Sequence, residues 1–355
     1  MYDAIVIGAR CAGSPTAMLL ARAGYRVLLL DRATFPSDHL STHYIQPQGV
    51  QALERWGLLE AVIATGAPAI TSFDVYGAGD QLLMQPPMDG PAYCPRRYLL
   101  DKILVDAAVA EGAELREGAL VEEILMDGDT VTGVRGRSRD GASVVEHARY
   151  VIGAEGHHSL VADAVGADKY REREALTGGY YSYWSGVDLP GAEIYVSDRG
   201  GVLAFPTNGG LACIAAGRAR AEFAAYRADI ENTFFSILDA SPKFASKVRA
   251  GVREERWMGT ADVPNFFRKP WGPGWALVGD AGYMKDPTTG WGIADAFRDA
   301  EFLAKALDLA LSGRKPAVEA LAGYQQRRDA AALPVYEITL QMASGEMAAP
   351  SPSSL

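Results

Sequence analysis

Residues 2–32, "YDAIVIGARCAGSPTAMLLARAGYRVLLLDR", run from a short apolar segment through a cluster of small residues and a helix-like stretch to a second apolar segment ending in an acid. "AIVIG" has the composition of a strand buried on both faces. Ala17, Leu20 and Ala21 recur at helical spacing until Gly24 interrupts them, and "RVLLLDR" supplies a second strand. Strand, tight turn, helix and parallel strand make the βαβ unit from which a doubly wound sheet starts. In a dinucleotide fingerprint the first glycine makes the turn, the second lets a pyrophosphate approach the backbone, and the third lets helix and strand pack closely. Gly8 and Gly13 take the first and third places. Arg10 holds the second, where its guanidinium would pair with a phosphate near the helix N-terminus, and Cys11 and Ala12 complete the turn. Asp31, followed by Arg32, closes the second strand at the distance of a ribose-binding acid. The same turn also suits a phosphate-free βαβ unit of another enzyme class. By itself it indicates a dinucleotide without saying which.

Farther along, the pattern changes character twice. "PQGVQALERWGLLEAVIATG" (47–66) predicts a helix entered at Pro47 and left through Gly66. From "ITSFDVYGAGDQLLMQPP" (70–87) apolar and polar residues alternate between Gly, Asp and Pro, as in antiparallel hairpins. A long helix then begins near Arg97, followed by a strand, a hairpin turning at "DGDT" (127–130) and the buried strand "YVIGAEG" (150–156). Residues 176–269 again read as sheet, with one helix over 220–239. "WALVGDAG" (275–282) returns to a buried strand and "GIADAFRDAEFLAKALDLAL" (292–311) to an amphipathic helix.

The segment "WALVGDAGYMKDPTTGWGIADAFRDAEFLAKAL" (275–307) points to the ligand. Its strand delivers Gly279 and Asp280 to a carboxyl end, where ligands of open α/β sheets bind. A glycine loop then leads into a helix whose first amides, Gly292 to Ala294, would face something electron-rich. A flavin suits both ends. Asp280 would accept from a ribityl hydroxyl, and the helix N-terminus would stabilise negative charge at the N1 and O2 edge of the reduced ring. The spacing from Gly279 and Asp280 through Pro287 and Gly290 to Gly292 resembles the GD motif of the para-hydroxybenzoate hydroxylase type, the class A flavoprotein monooxygenases and their relatives. "YVIGAEGHHSLVADAVG" (150–166) resembles that family's DG motif, and "RRYLLDKIL" (96–104) its cofactor-contacting helix, with Arg97 as the leading arginine. With the glycine turn, these matches follow the family's order over nearly the whole chain.

The resemblance implies an α/β architecture: a Rossmann-like FAD-binding domain of the glutathione reductase type, an inserted, mostly antiparallel β-sheet substrate domain, and C-terminal helices. The expected division places the FAD-binding domain in residues 1–70, 95–175 and 270–341, the substrate domain in 71–94 and 176–269, and a flexible tail over 342–355. Expected FAD contacts are Gly8, Arg10, Cys11, Ala12, Gly13, Asp31, Arg32, Arg97, Val121, Glu155, Gly279, Asp280, Pro287, Gly290, Gly292, Ile293 and Ala294. Two residues depart from the family pattern. Glu155 replaces an aspartate, and Ala162 stands where an arginine often follows Ser159. There is no second glycine fingerprint for a nicotinamide. The electron donor is therefore either NADPH or NADH docking transiently, as the resemblance implies, or a separate flavin reductase. The W-x-W-x-I-P motif of flavin halogenases is absent.

The implied activity is that of an FAD-dependent monooxygenase. It would use molecular oxygen and a flavin C4a-hydroperoxide to hydroxylate or epoxidise an electron-rich aromatic, polyketide or polyene molecule. Two alternatives stay open: an FAD-dependent reductase of carbon–carbon double bonds, similar to geranylgeranyl reductases, and a flavin-binding protein without turnover. No side chain need act as a nucleophile. His43 is a candidate flavin contact or proton carrier, and Lys285 a candidate cation beside the ring, although a loop histidine and a solvated lysine are the plainer readings. "YYSYW" (180–184) and "AFPT" (204–207) would put alternate aromatic residues on one sheet face, as either a wall for a flat apolar substrate or sheet core.

Bulk properties narrow the alternatives. The chain has 355 residues, 48% of them hydrophobic, enough for sizeable cores. A net charge of -10 with dispersed basic residues argues against nucleic acid. Three cysteines, Cys11, Cys94 and Cys213, include no C-x-x-C pair, which fits a reducing compartment. No third ligand is spaced suitably beside His39 and His43, so no metal site is expected. No apolar run approaches the roughly 18 to 20 residues of a spanning helix, and a cytoplasmic protein is the expectation.

Overall fold

The computed structural model describes residues 1–345. Its first strand, Tyr2–Ile7, and second strand, Val27–Asp31, are almost wholly buried and pair in parallel, as apolar runs without alternation require. They lie in a sheet of order 271–272, 275–277, 143–153, 2–7, 27–31, 114–117. One strand, Ser143–Gly153, serves two layers. Its first half pairs antiparallel with Thr130–Arg137, which also pairs with Leu120–Asp127, and its second half runs parallel to the first strand. That meander covers one face of the main sheet through Ile124, Val131 and Val134. The other face is packed by the first helix (Gly13–Arg22), the arginine helix (Arg97–Ala110) and the late helix (Gly292–Leu311).

A second sheet is antiparallel apart from one pairing. Its order is 252–253, 177–185, 212–219, 200–206, 192–197, 73–77, 81–84, with 258–260 also on the 177–185 strand. Period-two alternation divides its aromatic residues. Tyr180 and Trp184 pack with Phe234, Phe244 and Val248 of the covering helices, whereas Tyr181, Tyr183 and Phe205 point the other way, to Tyr44, Ile70 and Cys94.

Three local expectations change. The helix expected over 47–66 is two helices, Pro47–Trp56 and Leu59–Ile63, because Gly57 takes φ +77 and ends the first. The single helix expected over 220–239 is two, Phe223–Ala228 and Ile230–Leu238, broken at Asp229 with φ −147 and ψ 73, and a further helix, Pro242–Ala250, follows where sheet was expected. Residues 342–344, placed in a flexible tail, instead complete the final helix (Ala317–Ser344), and the rest of that expected tail lies beyond the described residues. Among the described residues no helix is long and apolar enough to cross a membrane.

The final helix is fastened by Arg328, a fully buried guanidinium. It donates to the Gly282 carbonyl (3.0 Å), the Arg268 carbonyl (2.9 Å) and the Tyr170 hydroxyl (2.7 Å), and its Nε meets Asp329 at 2.8 Å. These partners belong to or adjoin all three strands of a small sheet, Lys169–Arg173, Asn265–Arg268 and Tyr283–Met284. Arg328→Met would leave those acceptors dry and unpaired. Its expected cost is about 3 to 5 kcal/mol of stability, read as a lower midpoint in chemical denaturation.

Candidate active site

The site begins where backbone meets backbone. Gly8 has φ +99, and a β-carbon there would lie 2.6 Å from the Ala154 carbonyl oxygen. One on Gly13 would lie 1.7 Å from the Gly8 carbonyl oxygen, so only glycine lets the first helix start this close to the strand. Gly279, at φ +61, approaches from the late segment, and a β-carbon on it would sit 2.7 Å from that of Ala12. The Asp31 carboxylate braces the turn by accepting the Ala9 and Ala33 amides, each at 2.7 Å. The first helix has no side-chain cap at its N-terminus. The Ser14 amide already donates to the Arg10 carbonyl at 3.0 Å and Pro15 has no N–H, so the Gly13 amide is what the helix start leaves for an anion. Arg32 is exposed next to Asp31. Val121 follows the segment whose Gly118 and Ala119 amides donate to the Ala33 and Asp31 carbonyls.

Arg10 is committed elsewhere than to a phosphate alone. It meets Asp101 at 2.5 Å and the Ser37 hydroxyl at 3.0 Å, while Arg97 makes two 3.1 Å bonds to the same fully buried Asp101. Two guanidinium groups thus share one carboxylate beside the glycine turn, leaving a local positive excess. Asp101 is absent from the sequence expectations, although its i+4 spacing from Arg97 is a readable signal. Burial, ahead of the opposing charge of Arg97, pushes the Cys11 thiol up to about 12, so it stays protonated.

Asp280 follows the strand Trp275–Leu277. It is solvent-accessible yet enclosed enough that loss of water raises its pKa, against the opposing charges of Lys285, His157 and Arg97. Asp286 next caps the turn Pro287–Thr289 by accepting the Thr288 amide at 3.0 Å, and Gly290 at φ +65 redirects the chain. The late helix then starts at Gly292 without a side-chain cap, and open space lies where a Gly292 side chain would stand. Ile293 and Ala294 are buried just behind. Gly49 allows the helix Pro47–Trp56 to press on Ala294, with a notional β-carbon 3.3 Å away, and Gln46 donates to the Thr289 carbonyl at 3.1 Å. Neither residue is among the sequence expectations. Lys285 is only 9% exposed and is ion-paired to Asp295, which also takes Arg298 at 2.6 Å. It is therefore no solvated loop lysine.

Glu155 Oε1 accepts the Val161 amide at 3.0 Å, while Oε2 is buried without a partner, and burial raises the pKa of this carboxyl. Ser159 caps the adjoining short helix through the Ala162 amide at 3.1 Å, and Ala162 itself is buried.

The aromatic face of the antiparallel sheet meets the segment after the second strand. His43, 1% exposed and at φ +38, holds the Tyr183 hydroxyl at 2.9 Å and packs edge-on to Phe205. Burial first, then the charges of Arg96 and Arg97, lower its pKa to about 3. His39 is exposed, yet loss of water and the charges of Arg97 and Arg10 lower its pKa to about 4. Arg96 lies 3.7 Å over the Tyr183 ring and pairs with Glu255 at 2.7 Å and Asp38 at 3.0 Å.

A dinucleotide fits this arrangement: a turn with no room for β-carbons, two uncapped helix N-termini, a positive excess and an accessible carboxylate. Comparison with known proteins agrees. The FAD binding domain family matches residues 1–339. The chain belongs to that family and is an FAD-dependent oxidoreductase of the class A flavoprotein monooxygenase type. It is 25% identical over 337 residues to a tryptophan 2-halogenase of Chondromyces crocatus, covering 91% of this chain but only 64% of that protein. It is 29% identical over 306 residues to digeranylgeranylglycerophospholipid reductase 2 of Methanopyrus kandleri, covering 82% of this chain and 73% of that one. Among solved structures, a probable FAD-dependent monooxygenase from Pseudomonas aeruginosa superposes with a TM-score of 0.83 at 23% identity, covering 97% of this chain and 96% of the other.

Two outcomes are expected. Asp280→Ala should weaken FAD binding at least ten-fold, measured by quenching of flavin fluorescence on titration, while Asp280→Asn should weaken it less because it keeps an acceptor. For His43, the folded pKa lies below the unfolded value of about 6.5. As pH falls from about 6.5 toward 3, the unfolded chain takes up a proton that the folded one refuses, so stability is lost over that window. His43→Gln should flatten that part of the stability–pH curve measured by denaturant unfolding.

Proposed function

We propose that this protein is an FAD-dependent monooxygenase acting on a flat, electron-rich and largely apolar small molecule, of aromatic, polyketide or polyene type. The observation that carries the substrate class is the sheet face formed by Tyr181, Tyr183 and Phe205, turned toward the segment that holds His43 and Tyr44. Flat apolar walls favour flat apolar ligands and keep water out.

Bound FAD would supply the electrons and the site at which molecular oxygen is activated. Gly8, Gly13 and Gly279 would let the backbone close on its pyrophosphate, with Arg10 and Arg97 offsetting the negative charge. Asp280 would hold the ribityl chain, and the amides from Gly292 to Ala294 would face the ring edge. The Lys285–Asp295 pair clamps the first turn of the late helix and so keeps those amides aimed. Tyr183, fixed by a neutral His43 and by Arg96, holds the wall rigid. His43 then acts by positioning, since burial keeps the imidazole neutral and its Nε2 is engaged by the Tyr183 hydroxyl. NADPH or NADH is the expected donor, docking transiently. Three unpaired cysteines support a reducing, cytoplasmic setting.

A second reading, reduction of a carbon–carbon double bond, is favoured by the 29% identity to the archaeal lipid reductase. Labelled oxygen separates the two. With 18O2, NADPH and a panel of phenolic and polyene substrates, the product should carry one 18O atom and NADPH oxidation should stop without oxygen. Anaerobic turnover to a product two hydrogens heavier, with no label in air, would replace the monooxygenase reading by the reductase one.

A further inference from the structure

At the edge of the cofactor machinery, the described residues bring together one cluster of metal-ligating side chains that the sequence spacing conceals. His157 and His158 sit in the bent stretch after the strand Ser143–Gly153, and Asp262 follows the strand Met258–Thr260, more than a hundred residues later. Neighbouring residues usually point apart. Here both imidazole Nε2 atoms converge on one Asp262 carboxylate oxygen, at 3.0 and 2.8 Å, with ring centroids 4.0 Å apart.

We propose that His157, His158 and Asp262 form a binding site for a divalent transition-metal ion, Zn2+ in particular. One ligand atom from each lies within 4.8 Å of the others. Four-coordinate zinc, with bonds near 2.0 to 2.2 Å, sets its ligands roughly 3.4 Å apart, so small side-chain rotations bring all three onto one ion. Two imidazoles and a carboxylate suit zinc, and also nickel and copper, better than calcium or magnesium. The ligands are held from behind. The Asp262 amide donates to the Thr260 hydroxyl at 2.9 Å, and the His157 carbonyl accepts both terminal nitrogens of Arg268 at 3.3 Å. Arg268 also donates to the carbonyl of Ala281, beside Asp280. The side chains of His158 and Asp262 are 77% and 60% exposed, which gives an ion direct access and leaves a fourth position for water. As a mere surface ion pair this convergence would contribute less than about 1 kcal/mol. A metal would instead pin the inserted chain, where it rejoins the cofactor domain, to the turn that carries Glu155.

The test is calorimetric titration of the FAD-loaded, chelator-treated protein with Zn2+. The native chain should take up one ion per chain, and its melting temperature should rise with Zn2+. His158→Gln and Asp262→Asn, both at exposed positions, should each weaken uptake at least ten-fold and abolish the melting shift. His147→Gln, at an exposed histidine elsewhere, should change neither. Absence of saturable uptake by the native chain would overturn the site. So would uptake that survives the double substitution His158→Gln with Asp262→Asn, or that falls equally with His147→Gln.

Discussion

The molecule depends on the near-contact of three backbone segments at Gly8, Gly13 and Gly279, where no β-carbon fits. Residues from the first thirty positions and from position 279 onward are forced into one place. In the proposed reading, the uncapped starts of the first and late helices and the carboxylate of Asp280 would then belong to one site. Side chains larger than hydrogen would push the helix N-termini away from any phosphate, and the gain from aligned amides falls off within about one turn. Arg10 in the place of a second glycine is tolerated because its guanidinium is taken up by the buried carboxylate of Asp101 and by Ser37.

Buried charge is spent on structure rather than on chemistry. Arg97 and Arg10 share Asp101, Lys285 and Arg298 share Asp295, and Arg328 gathers the carbonyls of Gly282 and Arg268. Each of these pairs or clamps adjoins a segment that would touch the cofactor. A low-dielectric surrounding makes such networks costly to break once formed, so they stiffen the loops they hold. In the proposed reading, redox chemistry would then be left to FAD, while the protein would supply orientation, charge and a dry aromatic wall.

The glycine turn, Asp31 and the loop from Gly279 to Ala294 were legible in the sequence because each is a local pattern: a turn, a strand end, a helix start. The alternation of Tyr180 to Trp184 separates two faces, but which face meets Tyr44, Ile70 and Cys94 depends on packing. Burial of His43 and Lys285 was not legible. A histidine or lysine in a polar loop carries no local mark of the Tyr183 or Asp295 that awaits it across 140 or 10 residues. The helix breaks at Gly57 and Asp229 were readable in principle, since glycine and aspartate favour such conformations. The convergence of His157 and His158 on Asp262 lies wholly in tertiary structure.

The central claim, that FAD held here delivers oxygen to a substrate behind a water-excluding wall, is tested most directly by rapid-mixing absorbance. The FAD-loaded protein is reduced anaerobically with NADPH and then mixed with oxygenated buffer in the presence of candidate substrates. The account predicts an absorbance transient distinct from both reduced and oxidised flavin, decaying faster when substrate is present. A direct return to the oxidised spectrum, with stoichiometric hydrogen peroxide whatever substrate is added, would contradict it.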